Sequence, residues 1–298
     1  MPSLKDVKSK INGVIKPKQI TKAMYMAASA KLRGSQTRIE RFRPYAAKFY
    51  EVLGHLAAHS GEISHPLLEV HKTQEKASIL LITSDRGLCG SLNVSLIARA
   101  LDEARSRQAE GKQVAFVCVG KKGRSAIAKL GYTIVNSPQD EMAGFDYSLA
   151  RRIGRSLTAA YQAVQTDEVV IVYPEFRSIS SQKPLTLSLL PIAPGDSAQD
   201  GATRADIDGR SGPAPDFLYE PAVGHLLAQL LPTYIDAQIY RALLDTAASE
   251  NAARMLAMDN ATRNCNELIS TLTLLYNKTR QASITSELID IVGGAEAL

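Results

Sequence analysis

Two short glycine-containing segments of this chain could bind phosphate. Ser84–Gly90 (SDRGLCG) follows a β-rich apolar run, and Gly120–Gly123 (GKKG) follows a second one. Glycines between a strand and a helix can expose backbone N–H groups, and a helix N-terminus favours anions. Neither segment has the spacing GxGxxG or GxxxxGK[ST] that nucleotide-binding loops use. We therefore favour tight turns that pack the fold over a nucleotide site.

The histidines of the chain form an incomplete set of metal ligands. His55 and His59 are one helical turn apart, with His65 and His71 nearby. Two ligands at this spacing can chelate a metal, but no cysteine, aspartate or glutamate stands where it would complete the site. We therefore predict that the chain binds no metal.

The remaining reactive side chains also lack partners in the sequence. Cys89, Cys118 and Cys265 are far apart and have no CxxC spacing, which indicates free thiols in a reducing compartment. Asp85 and Arg86 could act as acid and electrophile, yet an ion pair that locks the turn explains them equally well. We predict no catalytic residue and no cofactor.

The middle of the chain alternates short apolar runs with helical stretches. Strands are predicted at Ala77–Thr83, Val114–Val119, Tyr132–Asn136, Glu168–Tyr173 and Leu185–Ile192, and helices at Asn93–Arg107, Arg124–Leu130 and Tyr147–Val164. This alternation predicts an α/β domain with a doubly wound, parallel, Rossmann-like sheet at residues 75–193. The Gly- and Pro-rich segment 194–216 is predicted to be a flexible loop.

Both ends of the chain are predicted to be long helices. His225–Val292 contains no glycine, and no proline follows Pro232, so Thr233–Val292 could form one helix of about 90 Å. Residues 1–58 are predicted to form the other helix. Pro17 is expected to kink or interrupt that helix, and Pro44 is expected to bend it.

Each terminal helix carries a seam of residues spaced three and four apart. The first seam is Leu4, Val7, Ile11, Val14, Lys18, Thr21, Tyr25, Ala28, Leu32, Ser35, Ile39 and Phe42. The second is Ala237, Tyr240, Leu244, Ala247, Asn251, Arg254, Met258, Ala261, Cys265, Leu268, Leu272, Leu275, Thr279, Ala282, Ser286 and Ile289. Such seams predict that residues 1–58 and 217–298 pair as a long antiparallel coiled coil.

Positive charge is concentrated in the first helix. Residues 1–51 carry twelve Lys/Arg against three acidic residues, a net +9, whereas the whole chain has a net charge of +5. This imbalance predicts an acidic partner, which could be nucleic acid, anionic lipid or protein, or else a solvated helix face. No apolar run reaches the roughly 18 residues of a membrane span, and we expect neither a signal peptide nor a transit peptide.

Several segments, in order along nearly the whole chain, resemble the gamma subunit of the bacterial F-type ATP synthase. They are Gln19–Met24 (QITKAM), Ser84–Asn93 (SDRGLCGSLN), Phe217–Pro221 (FLYEP), Tyr234–Tyr240 (YIDAQIY), Ala252–Asn264 and Tyr276–Gly294. The resemblance implies a non-catalytic rotor shaft that couples rotation of a proton-driven c-ring to ATP synthesis or hydrolysis. Two departures from the family are Pro17 and a long loop at residues 198–215, which has no cysteine pair for a redox switch.

The resemblance also implies partners and contact residues. The partners would be three alpha and three beta subunits, the epsilon subunit and the c-ring, without nucleic acid. The chain would lie at the cytoplasmic face of the bacterial inner membrane, held there only through the ring. The implied residues are Arg280, Gln281, Thr285, Met24 and Arg254 for contact with the beta subunit or for coupling, Ile291, Val292, Ala295 and Leu298 for an apolar tip, and Phe217, Tyr219 and Glu220 near epsilon and the ring.

Two other classes of function remain open from the residues alone. A basic coiled coil could bind nucleic acid, which predicts salt-sensitive affinity. An enzyme could use Ser84–Gly90 as a phosphate loop, which predicts nucleotide binding by the isolated chain.

Overall fold

The computed structural model describes residues 3–59, 65–137, 142, 144–192 and 223–296. Its elements are α1 (Leu4–His59), β1 (Lys76–Ile82), α2 (Leu92–Ala109), β2 (Gln113–Val119), α3 (Lys121–Lys129), β3 (Thr133–Asn136), α4 (Tyr147–Gln162), β4 (Glu168–Phe176), β5 (Gln182–Leu190) and α5 (Val223–Glu296). The chain divides into two compact units. We call residues 31–253 the head unit, and residues 1–30 with 254–298 the helical unit.

The head unit contains one five-stranded sheet, in the order β3-β2-β1-β4-β5. Strands β1 to β4 pair in parallel, as the strand–helix alternation predicts. Strand β5 is antiparallel to β4. Only residues 177–181 join these two strands, and a connection this short cannot make the crossover that a parallel strand needs. The alternation pattern did not predict this antiparallel edge.

Helices cover both faces of the sheet. Ile79 and Leu81 of β1 pack on one face, in a cluster with residues of α2 and α3. Leu80 and Ile82 pack on the other face, in a cluster with residues of α4 and α5. Because both faces are covered, β1 is a nearly continuous run of buried residues rather than an alternating one. The doubly wound α/β architecture is confirmed.

Proline does not end either long helix. α1 runs without a break from Leu4 to His59, so the expected interruption at Pro17 is wrong. Pro17 and Pro44 are exposed, and water can therefore bond to the carbonyl that each proline leaves without an amide donor. α5 begins at Val223, so Pro232 lies inside the helix rather than before it.

The predicted seam on α1 is confirmed, since all twelve of its positions are buried or half-buried. Two contacts give the direction of its pairing with α5. Thr21 Oγ1 lies 2.8 Å from Thr262 Oγ1 in the helical unit. In the head unit the ring of Phe42 packs edge-on against Tyr240, with centroids 5.1 Å apart. The contacting residue on α5 has a lower residue number where the contacting residue on α1 has a higher one, so the two helices are antiparallel.

The predicted seam on α5 is right as far as Cys265 and wrong at several positions after it. Leu268, Leu275, Ala282, Ser286 and Ile289 are exposed. The less exposed stripe instead follows Cys265 through Ile269, Leu272, Tyr276, Thr279 and Ser283. Apolar residues are adjacent at Leu268–Ile269 and at Leu275–Tyr276, so the pattern alone does not decide which of each pair faces the neighbouring helix.

Candidate functional site

Three of the predicted contact residues form one exposed group on α5. Arg280, Gln281 and Thr285 are all exposed, and they lie within about one and a half turns of the helix. The hydroxyl of Thr285 donates to the carbonyl oxygen of Gln281 at 2.9 Å. The fork-shaped guanidinium of Arg280 is suited to a carboxylate or a carbonyl-lined loop of another protein.

The other two predicted contact residues lie elsewhere. Met24 on α1 and Arg254 on α5 are both half-buried. Arg254 precedes Arg280 by 26 positions, which is about 39 Å along a helix. The five residues therefore do not form one site.

The predicted apolar tip is exposed where it is described. Ile291 is 67% and Val292 is 56% exposed, and Ala295 is exposed as well. Leu298 lies outside the described residues, as do Phe217, Tyr219 and Glu220 and the predicted loop at 194–216.

The exposed apolar surface of α5 is larger than the sequence predicts. Leu274, Ile284 and Leu288 are exposed in addition to the misplaced seam residues. A helix that carries apolar side chains on more than one face is normally surrounded by protein. The sequence does contain a signal for this exposed surface, which is the large number of leucines and isoleucines of α5 outside the predicted seam. This part of α5 therefore exposes apolar side chains on more than one face.

The N-terminus of α3 has no amide left for a phosphate among its first three residues. Asp85 Oδ1 accepts from the backbone N–H of Lys121 at 3.0 Å. The carbonyl of Ser84 accepts from Lys122 N–H at 3.2 Å, and Thr83 Oγ1 accepts from Gly123 N–H at 2.8 Å. These bonds use the donors that a phosphate at Gly120–Gly123 would need.

The segment Ser84–Gly90 is held as a tight turn. The hydroxyl of Ser84 donates to the carbonyl of Arg86 at 2.6 Å and accepts from Asn93 Nδ2 at 2.8 Å. The same amide lies 3.1 Å from Cys89 Sγ, and Asn93 and Cys89 are both buried. This network supports the turn that the sequence favours over a nucleotide site.

Two of the four histidines that the sequence raised as possible ligands, His65 and His71, have structural contacts, whereas the side chains of His55 and His59 are not among those described. His71 Nδ1 lies 2.8 Å from Asp167 Oδ1, and its ring stacks on Tyr161 with centroids 4.3 Å apart. His65 Nδ1 accepts from the N–H of Leu67 at 3.2 Å. Among the described residues, no group of three or more His, Cys, Asp or Glu could hold a metal. In the same part of the chain, no helix is both long and apolar enough to cross a membrane.

Comparison with known structures agrees with this fold. A chain of the mitochondrial ATP synthase central stalk and c-ring from Tetrahymena thermophila is 26% identical, with a TM-score of 0.56 over 81% of this chain and 99% of that chain. A chain from the F1/c-ring structure of the Euglena gracilis mitochondrial ATP synthase has a TM-score of 0.65 over 99% of this chain and 94% of that chain. At 22% identity, the second likeness supports the fold alone.

Comparison with known sequences covers the whole chain. A family model described as ATP synthase matches residues 3–298. The ATP synthase gamma chain of Nitratidesulfovibrio vulgaris is 58% identical over 298 residues, which is all of this chain and 99% of the relative. The gamma chain of Lawsonia intracellularis is 53% identical over the full length of both. The chain therefore belongs to the ATP synthase gamma chain family.

Proposed function

We propose that this chain is the central rotor shaft of a proton-translocating F-type ATP synthase. The observation that carries this proposal is α5, a helix of 74 residues whose last part exposes apolar side chains on more than one face beside the group Arg280–Gln281–Thr285. The shaft couples rotation of an ion-driven c-ring to ATP synthesis, or to hydrolysis in reverse, at the beta subunits.

The shaft acts through contact rather than through chemistry of its own. A rotor can change the nucleotide affinity of three identical sites only if its interaction energy differs among their conformations. The basic N-terminal helix and the apolar end of α5 are chemically different surfaces, so contacts with them can differ in energy. The amides of α3 and the polar side chains of Ser84–Gly90 are used inside the head unit, which supports a chain without a nucleotide site.

The partners follow from the family. We infer that three alpha and three beta subunits surround the paired helices, and that epsilon and the c-ring contact the other part of the shaft, near Phe217, Tyr219 and Glu220. The structural neighbour at 26% identity comes from a central stalk and c-ring structure, which supports the ring as a partner. The chain is then held at the membrane by the complex, and we place it at the cytoplasmic face of the bacterial inner membrane.

Contact with the beta subunits is assigned to separate regions. Arg280, Gln281 and Thr285 form the polar contact, because they are exposed and adjacent on α5. Met24 and Arg254 are half-buried and are proposed to affect coupling at a different level. The apolar tip, comprising Ile291, Val292, Ala295 and Leu298, works as a bearing. Apolar packing is weakly directional, and it does not hold the rotor in one orientation as a set of hydrogen bonds would.

The proposal is tested by the double substitution Arg280→Ala with Gln281→Ala in the assembled complex. Hydrogen bonds to a charged group contribute roughly 1.5–3 kcal/mol each, so ATP hydrolysis is expected to fall by about tenfold or more while subunit assembly survives. The matched control is Arg105→Ala, an exposed arginine of α2, which should leave hydrolysis unchanged. Unchanged hydrolysis in the double variant would remove the assigned contact. Hydrolysis of ATP by the purified chain alone would contradict the non-catalytic role.

A further inference from the structure

The head unit contains a pocket to which the proposed rotor function assigns no role. It has a volume of about 470 Å³ and is formed by residues of α1, α4 and α5. Four of its walls are the aromatic rings of Phe42, Tyr45, Tyr147 and Tyr240, and its charged groups are Arg151 and Asp236. A concave apolar site with a few polar groups is the usual form of a binding site.

The aromatic walls support one another. Tyr240 lies at the centre, with its ring edge-on to Phe42 at 5.1 Å and to Tyr147 at 5.4 Å. Phe42 also contacts Tyr45 at 5.7 Å, and Tyr45 is 49% exposed. Edge-to-face rings at these distances stabilise each other, so the walls are formed before a ligand enters. Because Tyr45 is exposed, the pocket is open to solvent beside this ring, and a ligand can enter there.

The two charged groups of the pocket differ in their surroundings. Asp236 is only 9% exposed, and it packs so closely on Gly154 that any side chain there would collide with its carboxylate. The Arg151 side chain is exposed and lines the same pocket, and its positive charge acts on the carboxyl group of Asp236. The pocket therefore offers a guanidinium donor beside a buried carboxyl group.

Basic residues dominate the stretch of α1 that lines the pocket. Residues 31–48 contain six Lys/Arg against one acidic residue, Glu40. Arg38 lies over the ring of Phe145 at 5.7 Å, and α4 adds Arg152 and Arg155 to Arg151. This charge attracts an acidic ligand. A phosphate group, with up to two charges, fits poorly beside the buried carboxyl of Asp236, whereas a single carboxylate can share a proton with it.

We propose that this pocket binds an aspartate or glutamate side chain, carried on an apolar segment of a partner protein, with Arg151 as the counter-ion and Asp236 protonated in the bound state. The ring faces would take the apolar neighbours of that acidic residue. This inference goes beyond the rotor function and does not depend on it.

The proposal couples binding to pH. Burial raises the pKa of Asp236 to about 6, against the opposing effect of Arg151 and Arg155. The other titratable groups that face it are Tyr147, Tyr45 and Tyr240, and burial together with the charge of Asp236 raises the pKa of Tyr147, so that it stays neutral. An incoming carboxylate disfavours the charged form of Asp236 further. Binding therefore takes up a proton and weakens as the pH rises above about 6.

The test uses the full-length chain and two blocked peptides, acetyl-Phe-Glu-Leu-amide and its glutamine counterpart. Dissociation constants are measured by NMR titration from pH 5.5 to 8. The glutamate peptide should bind several-fold more weakly at pH 8 than at pH 5.5, and the glutamine peptide should bind at least about tenfold more weakly at pH 5.5, because it lacks the charge-assisted bond. Arg151→Ala should weaken binding of the glutamate peptide by about tenfold or more, while the control Arg105→Ala should leave its dissociation constant unchanged.

Asp236→Asn provides the readout that a merely structural role would not change. This variant removes the repulsion without removing a hydrogen-bond donor, so it should bind the glutamate peptide more tightly at pH 8 and with little pH dependence. Retained pH dependence in this variant, or equal binding of the two peptides, would overturn the proposal. So would Arg151-dependent binding of a single-stranded DNA 12-mer that is tighter than peptide binding, because the ligand would then be a phosphate. Arg151→Ala keeps the test decisive if Asp236→Asn misfolds, since Arg151 is not part of the buried core.

Discussion

One helix, α5, has opposite surroundings in the two units. In the head unit Ile235, Ile239 and Leu243 are fully buried against the sheet and α4. In the helical unit Leu274 and Ile291 are 70% and 67% exposed. Both stretches are rich in apolar residues, so composition alone does not distinguish them. The head unit buries its apolar residues against its own chain. The exposed residues of the helical unit have no such cover from the described residues, as the proposed shaft surrounded by other subunits would require.

The largest effect should come from shortening the same side chain at both places. Leu243→Ala removes a fully buried side chain and should lower the free energy of unfolding of the head by about 2–5 kcal/mol. Leu274→Ala makes the same change on the same helix and should alter the free energy by no more than about 0.5 kcal/mol in the isolated chain. Urea unfolding followed by circular dichroism measures both. Equal losses of unfolding free energy in the two variants would contradict the difference in burial between the two stretches of α5.

A second pair of variants tests how tightly the head is packed at its turns. Gly120 has φ +92°, and a Cβ there would collide with the backbone of Thr83, so Gly120→Ala should cost more than about 2 kcal/mol. Gly111 has φ +83° with open space around it. Gly111→Ala should therefore cost only the backbone strain of about 1–2 kcal/mol. A smaller loss for Gly120→Ala than for Gly111→Ala in thermal unfolding would contradict the packing around β1 and α3.

A smaller, pH-dependent effect is expected at Asp245 of α5. Burial, opposed by Arg241 and Arg43 and assisted by Glu175, raises the pKa of Asp245 to about 7. A carboxyl whose pKa is higher in the folded state stabilises the fold at low pH, and this contribution is lost as pH rises from about 4 to about 7. Asp245→Asn should therefore flatten that decline and raise stability at pH 8 by roughly 1–2 kcal/mol.

The control for Asp245 is an acidic residue of the helical unit. Asp259 forms a surface ion pair with Arg263 at 2.7 Å. Such pairs contribute little, so Asp259→Asn should change stability at pH 8 by less than about 0.5 kcal/mol. Urea unfolding at pH 5 and pH 8 gives both values. If the pH 8 stability of Asp245→Asn did not exceed that of the unmodified chain, the buried carboxyl would not be the source of the decline.

The smallest effect should come from the apolar tip. Ile291→Ala with Val292→Ala keeps the helix and removes only part of a weakly directional surface. It should leave the stability of the isolated chain unchanged and lower ATP hydrolysis by the assembled complex less than about threefold, an energy change below about 1 kcal/mol. A larger loss than that of the Arg280/Gln281 double variant, in the same assay, would reverse the assigned importance of the two contacts.

Local patterns predicted much of the fold and only part of the candidate site. The seam on α1 was correct at every position, although Ile15, Ile20 and Met26 are apolar residues of α1 that lie outside it and are exposed. On α5 the seam after Cys265 was misplaced, because adjacent apolar residues such as Leu268 and Ile269 allow two faces. Arg280, Gln281 and Thr285 were identified through resemblance to a family. The exposure of Leu274, Ile284 and Leu288 required the structure.

The amino-acid sequence by itself determined the order of strands and helices and the presence of two long terminal helices. These features depend on interactions within a few residues, through helix propensity, side-chain periodicity and turn-forming residues. Only the tertiary structure decided the buried face of α5 after Cys265 and the pocket around Asp236. Each of these depends on which residues distant in the chain come into contact, and local periodicity carries no information about that choice.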